Sequence, residues 1–189
     1  MALNKRILND THNYGWGFIA IHWLMALAII GLYALGLYID SLSYYDPEYR
    51  TVPHIHKSIG ILVMLALALR LVWRTSNRTP EKLPQPKPLA LATKAVHMLL
   101  YVLMLVSLIS GYMISTADGR PIDVFGWFSV PAFATGMENQ EDVAGAVHWY
   151  STTLLIVLAG LHALAALKHH FVNKDATLTR IFGIKQETP

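Results

Sequence analysis

The chain contains no cysteine. That absence excludes disulfides, iron–sulfur clusters held on thiolates, and covalently attached c-type haem, which needs Cys-x-x-Cys-His. A redox centre here must rest on histidine or on non-covalent binding. Charge is scarce as well: 14% of the 189 residues are charged against 54% hydrophobic, a balance foreign to an ordinary soluble domain. Asp, Glu, Lys and Arg are missing altogether from Trp16–Ile39, Ala95–Ala117 and Val143–Leu167, each long enough to cross a hydrocarbon core ~30 Å thick. The first of these runs is too long for a signal-peptide core and lacks a small-residue cleavage site, so it counts as a span. A fourth run, Pro53–Trp73, holds Lys57 and Arg70, which must snorkel or find partners. Internal repeats and low-complexity segments are absent.

Charge placement predicts the orientation, because Lys and Arg are retained on the cytoplasmic side. Arg74, Arg78, Lys82, Lys87 and Lys94 follow the second span with only Glu81 among them. Lys5 and Arg6 at the N-terminus, and Lys168, Lys174, Arg180 and Lys185 at the C-terminus, agree. The two remaining loops carry most of the acidic residues. The expectation is an all-α integral membrane four-helix bundle with both termini cytoplasmic and spans at about 15–39, 53–74, 89–115 and 142–171. A Pro-rich cytoplasmic linker (75–88), a periplasmic cap loop (116–141) and a basic tail (172–189) complete the chain. The net charge of +3 is then a topology signal and gives no reason to expect nucleic-acid binding.

At least five of the nine histidines fall in these spans, where an ionisable group costs free energy unless it faces the bundle and is occupied. His148 and His162 stand fourteen residues apart, as do His56 and Arg70. Fourteen helical steps come within ~40° of four full turns and rise ~21 Å, so one helix presents two imidazoles in register at different depths. Counted from the helix ends, His22, His97 and His162 form a layer ~12 Å inside the inner surface, and His56 and His148 form an outer layer. Each layer holds histidines from different helices, as bis-imidazole ligation of a haem iron demands. Depth alone does not choose among the three inner histidines. His54, rotated ~160° from His56, faces elsewhere, and His12 reads as a surface residue.

Small residues accompany the histidines. Gly60 lies one turn from His56, Gly36 fourteen residues beyond His22, and Gly111 fourteen beyond His97. Each leaves room for a flat macrocycle, although close helix packing uses the same residues. Arg70 and Arg74 share the His56 face at its inner end, where an arginine would pair with a haem propionate. Lys57 is placed to do the same for the outer layer. Lys168, His169 and His170 end the last span; they serve as an interfacial basic cluster or as polar anchors for a quinone.

The residues Ile21-His22-Trp23, His56-Lys57-Ser58-Ile59-Gly60-Ile61 with Arg70, His97-x-x-x-Tyr101, His148, and Gly160-Leu161-His162 with Leu167-Lys168-His169-His170 occur in an order and spacing that resembles the bacterial cytochrome b561 family. The likeness runs from about Trp16 to Arg180. It implies two non-covalent haem b groups, with His22 and His162 on the inner iron and His56 and His148 on the outer. His97 then becomes a neighbour of the inner haem rather than a ligand. It also implies a place in the bacterial inner membrane and exchange of electrons with the quinone pool.

Three functions compete. The leading one is an electron conduit between a periplasmic donor or acceptor and quinone, with no side chain in a catalytic role and lipid and redox molecules as partners. The alternative is a superoxide:ubiquinone oxidoreductase with the outer haem edge as its oxidation site. The acidic outer loop repels small anions, so that alternative requires Lys57, Arg50 and Arg120 to gather near the edge. The third, metal transport through the histidines, is disfavoured because the spans offer no carboxylates.

Overall fold

The computed structural model describes residues 6–184; Lys5, Lys185 and the end of the basic tail lie outside the described residues. Four long helices carry the architecture: α1 (Trp16–Ser41), α2 (Thr51–Ser76), α3 (Lys87–Thr116) and α4 (Gln140–Phe171). All four are long and apolar enough to cross a membrane. Large side chains such as Leu24, Ile30, Leu65, Leu69, Leu154 and Leu161 are exposed along them. Outward-facing leucine on a helix whose backbone is internally hydrogen-bonded suits lipid rather than water.

Local chemistry sets the helix ends. Prolines at 80, 84 and 86 keep the linker before α3 extended, and Pro88 stands in the first turn, where the missing N–H costs nothing. Helix α4 has Glu141 and Asp142 in its first turn and Lys168, His169 and His170 in its last, each complementing the helix dipole.

The chain forms two compact units. The first comprises the chain to Ala26, with Ala66–His97 and Leu158 onward; the second comprises Leu27–Leu65 and Met98–Val157. Each takes a segment of all four long helices. His22, His97 and His162 belong to the first unit, His56 and His148 to the second.

In the second unit the loop after α3 contains a hairpin of β1 (Ile122–Val124) and β2 (Phe128–Val130), paired antiparallel with Ile122 opposite Val130. No alternating run marks it in the sequence, because each strand has only three residues. Phe125 (φ 51°) and Gly126 (φ 72°) turn the chain through the left-handed region, a conformation that disfavours a residue with a Cβ. Contacts to α2 offset the cost at Phe125. The fully buried Ser58 hydroxyl accepts the Phe125 N–H (3.2 Å) and donates to the Asp123 carbonyl (3.3 Å). Ile122 and Val124 pack on Ile61, with Tyr112 and Phe125 against the same cluster.

The Asp123 carboxylate lies 3.0 Å from His54 Nε2 and accepts the Gly126 N–H at 2.9 Å. These bonds, His54 first, hold its carboxyl below the usual carboxylate range. A carboxyl depressed in the folded state contributes stability above its ordinary value of 3.8 and loses it as pH falls through the folded value. The hairpin tip should therefore loosen only in acid below that point. Exchange of the Gly126 amide, taken relative to its intrinsic rate, should accelerate there, and D123N should make it fast at neutral pH too. A Gly126 amide equally protected in D123N would contradict this.

Residues 172–184, the described part of the tail, belong to the first unit. Helix α5 (Thr177–Ile181) sets the Ile181 carbonyl to accept from Trp23 Nε1 at 3.1 Å and stacks Phe182 on Trp23 at 5.0 Å. From Arg6 on, the residues before α1 fold alongside its first turn, where the Trp16 and Gly17 N–H groups donate to the Arg6 and Ile7 carbonyls. The Ile7 carbonyl lies so near Gly15 that a Cβ there would sit 2.2 Å from it, which only glycine permits.

Candidate functional site

The second unit contains an open-sided cavity of about 810 Å³ lined by His56 and His148, by Gly36, Gly60 and Gly111, and by Lys57 and Asp40. Helix α2 brings His56 and helix α4 brings His148, and their ring centroids stand 6.2 Å apart. Two imidazoles on one iron, with metal–nitrogen bonds of about 2.0 Å, hold their centroids about 6.3 Å apart. The separation therefore matches an iron between the two rings.

The tautomer of His148 is set by α3. Its Nδ1 lies 2.8 Å from the Ser107 carbonyl, which can only accept, so Nδ1 carries the proton and the Nε2 lone pair is left for a metal. Ser110 Oγ stands 3.3 Å from the same nitrogen, and the Ser107 hydroxyl donates to Ser151 Oγ at 2.9 Å. Ser107, Ser110 and Ser151 are buried. None stands out in the sequence, although hydroxyls on otherwise apolar spans are the expected glue between helices.

The glycines act at different places. A Cβ on Gly111 would lie 2.9 Å from His148 Cε1, and one on Gly36 would lie 3.6 Å from His56 Cε1, whereas one on Gly60 would meet nothing within 4 Å. Gly111 thus lets an imidazole approach α3, and Gly60 leaves open space beside His56. His56 Nδ1 is buried and makes no hydrogen bond among the described residues. Spacing, tautomer and open volume together fit a haem held by His56 and His148.

In the first unit the His97 and His162 rings meet edge to face at 5.1 Å, closer than two axial ligands of one iron. His22 has a different neighbour, Arg70, whose Nη2 lies 3.2 Å from its Nδ1. A guanidinium only donates, so Nδ1 is the acceptor. Ligation of a metal through Nε2 would move the proton to Nδ1 and turn the Arg70 donors to another acceptor. Arg74 lies in the last turn of α2.

The three residues ending α4 go separate ways. Lys168 is exposed. His169 Nδ1 is 2.5 Å from Asp175 Oδ2, with Asn173 Nδ2 at 3.2 Å, and His170 packs on Phe171 at 4.8 Å. Burial raises the Asp175 carboxyl, but hydrogen bonds from Thr177 and His169 outweigh it and hold the group below its ordinary range. Arg120 is paired with Asp118, its Nε donating at 2.6 Å.

Residues 13–183 match the family model described as prokaryotic cytochrome b561. The chain is 48% identical over 176 residues to cytochrome b561 homolog 2 of Escherichia coli K12, covering 93% of this chain and 94% of that protein. It is 31% identical over 170 residues to a probable superoxide oxidase CybB of Yersinia pestis, covering 89% and 94%. Cytochrome b561 homolog 1 of E. coli K12 is 26% identical over 164 residues, covering 86% and 93%. With four apolar helices and a cavity that fits a macrocycle between two imidazoles, the chain belongs to the prokaryotic cytochrome b561 family, the multi-pass haem b cytochromes of membrane electron transfer.

Proposed function

We propose that the protein carries two haem b groups and passes electrons between a periplasmic-side donor or acceptor and the quinone pool, with both termini cytoplasmic. The observation that carries the reading is the His56–His148 pair at 6.2 Å with the His148 tautomer fixed by Ser107. The residue assignment is His56 and His148 for the outer iron and His22 and His162 for the inner. The short His97–His162 approach supports His97 as a neighbour of the inner haem. Each haem, when bound, supplies reversible one-electron exchange at its iron.

The chain's own part is to bind, orient and exclude water. The Ser107 carbonyl holds His148 in the ligating tautomer. Arg70 and Arg74 would hold inner propionates and Lys57 an outer one, as charge-assisted pairs that fix the ring plane. Gly60 leaves the space the ring fills. Lys168, His169 and His170 place donors at the end of α4, one turn or more past His162, where a quinone headgroup would find a polar anchor. The His169–Asp175 bond orients one of these donors.

A second reading, superoxide oxidation at the outer haem, is supported by the 31% identical relative with that name and by Lys57 at the cavity wall. The acidic surroundings oppose it: Asp40 lines the same cavity, and Arg120 is neutralised by Asp118. Stopped-flow mixing of the haem-loaded protein with quinols and with superoxide separates the two. The conduit reading expects haem reduction by quinol and only slow reduction by superoxide. Reduction by superoxide near the diffusion limit, slowed by salt, would replace it with the oxidase reading.

A further inference from the structure

Residues 124–137, in the loop between α3 and α4, include no Asp, Glu, Lys or Arg, although Asp123 and Glu138 bracket them. Trp127 is 71% and Phe133 81% exposed, and Phe128 and Met137 are exposed as well. The backbone behind these side chains is nevertheless tied to the protein. In the hairpin the Phe125, Gly126 and Trp127 N–H groups donate to Ser58 Oγ, the Asp123 carboxylate and the Val124 carbonyl. Beyond it, the Tyr112 hydroxyl accepts the Phe133 N–H and donates to the Pro131 carbonyl, both at 2.7 Å, and the Ala134 carbonyl accepts from Thr116 and Gln140. Water would satisfy such groups without help. Bare apolar side chains over an internally bonded backbone are what lipid requires.

Depth points the same way. Ser58 and Ile61, on which the hairpin is seated, stand ~10 and ~15 Å along α2 from its start at Thr51. The 26 residues of that helix run ~39 Å, and when centred they overhang a ~30 Å hydrocarbon core by ~5 Å at each face. The hairpin is therefore held beside the helix at the boundary of the core, not above its end. Tyr112 likewise holds Pro131 and Phe133 one turn before the end of α3. Asp123 pairs with Ser129 across the ladder, which leaves the hairpin a polar side for headgroups and water. A soluble protein docking on the aromatic side would have to reach below the helix ends, into space that lipid fills.

We infer that residues 124–137 form an interfacial membrane anchor: Trp127, Phe128 and Phe133 enter the headgroup and upper acyl region of the leaflet at this end of α2 and α3, continuing the lipid-facing surface of the helices. Aromatic rings at this level gain from apolar burial while the indole N–H stays within reach of headgroups.

The lack of cysteine makes a single introduced thiol uniquely labelled. W127C, F133C and, as the aqueous reference, R120C at the exposed Arg120 each take one nitroxide in the haem-loaded full-length protein, reconstituted in phosphatidylcholine–phosphatidylglycerol vesicles. Trp127 and Phe133 are exposed, so either replacement leaves the packed residues untouched and retains the other aromatic. Power saturation is measured under oxygen and with a water-soluble nickel chelate, both referred to nitrogen so that relaxation by the haem iron cancels. The ratio of oxygen to nickel accessibility should be several-fold higher at 127 and 133 than at 120. Ratios at 127 and 133 as low as at 120 would place the segment in water and overturn the anchor. Labels shielded from both reagents would show that protein covers the patch, a second copy or a partner, and would overturn it equally.

Discussion

Replacing His148 by alanine is expected to empty the outer iron site and spare the inner one. The one further histidine of the second unit, His54, is bonded to Asp123, so no free imidazole is left there to replace the lost ligand. His56→Ala should behave alike. His22→Ala and His162→Ala should do the reverse, and His97→Ala should retain both haems. Each single-ligand variant should bind half the haem of the parent, with the surviving component keeping its midpoint. Retention of the inner haem by His22→Ala together with its loss in His97→Ala would reassign the inner pair to His97 and His162. The rings would then have to separate from the 5.1 Å at which they now meet.

A change at Gly111 should be nearly as damaging, although the residue bears no ligand. A methyl group placed there would stand 2.9 Å from His148 Cε1 and 3.2 Å from Nδ1. The imidazole must then shift, and the 2.8 Å bond to the Ser107 carbonyl shifts with it. Overpacking of this kind costs about 1–3 kcal/mol, and here the displaced group is the ligand itself. Gly111→Ala should weaken outer haem binding, and Gly111→Leu should abolish it while leaving the inner haem in place. Gly60→Ala is the contrast: beyond its own stretch of helix the methyl meets nothing within 4 Å, so a clash there would come from an occupant of the cavity. Normal haem content in Gly111→Leu would show that His148 does not ligate from its observed position.

Much of this arrangement is legible in the sequence because the membrane makes polar residues informative. Histidine in an apolar helix is conspicuous, and the fourteen-residue interval between His148 and His162 translates directly into two depths. The glycines at 36 and 111 stand out by the same interval from His22 and His97. What they meet could not be read that way: Gly111 adjoins His148 in the second unit, far along α3 from His97.

The serine network escaped because its key acceptor is the Ser107 backbone carbonyl, and every residue has one. The hairpin escaped because three-residue strands show no period, and its anchor, Ser58, lies sixty-five residues from Asp123. The tail reads as a basic segment from its charges, whereas Arg180 is buried over Tyr14. A cation–ring contact between the two ends of a chain leaves no local pattern.

The central claim is one haem b in each unit, held by histidine alone. Haem stoichiometry of the purified protein tests it most directly, by pyridine haemochrome against protein mass, with acid-solvent extraction on the same sample. The account predicts two haem b per chain, both fully extractable. One haem per chain, or a haem that stays with the polypeptide after extraction, would contradict it.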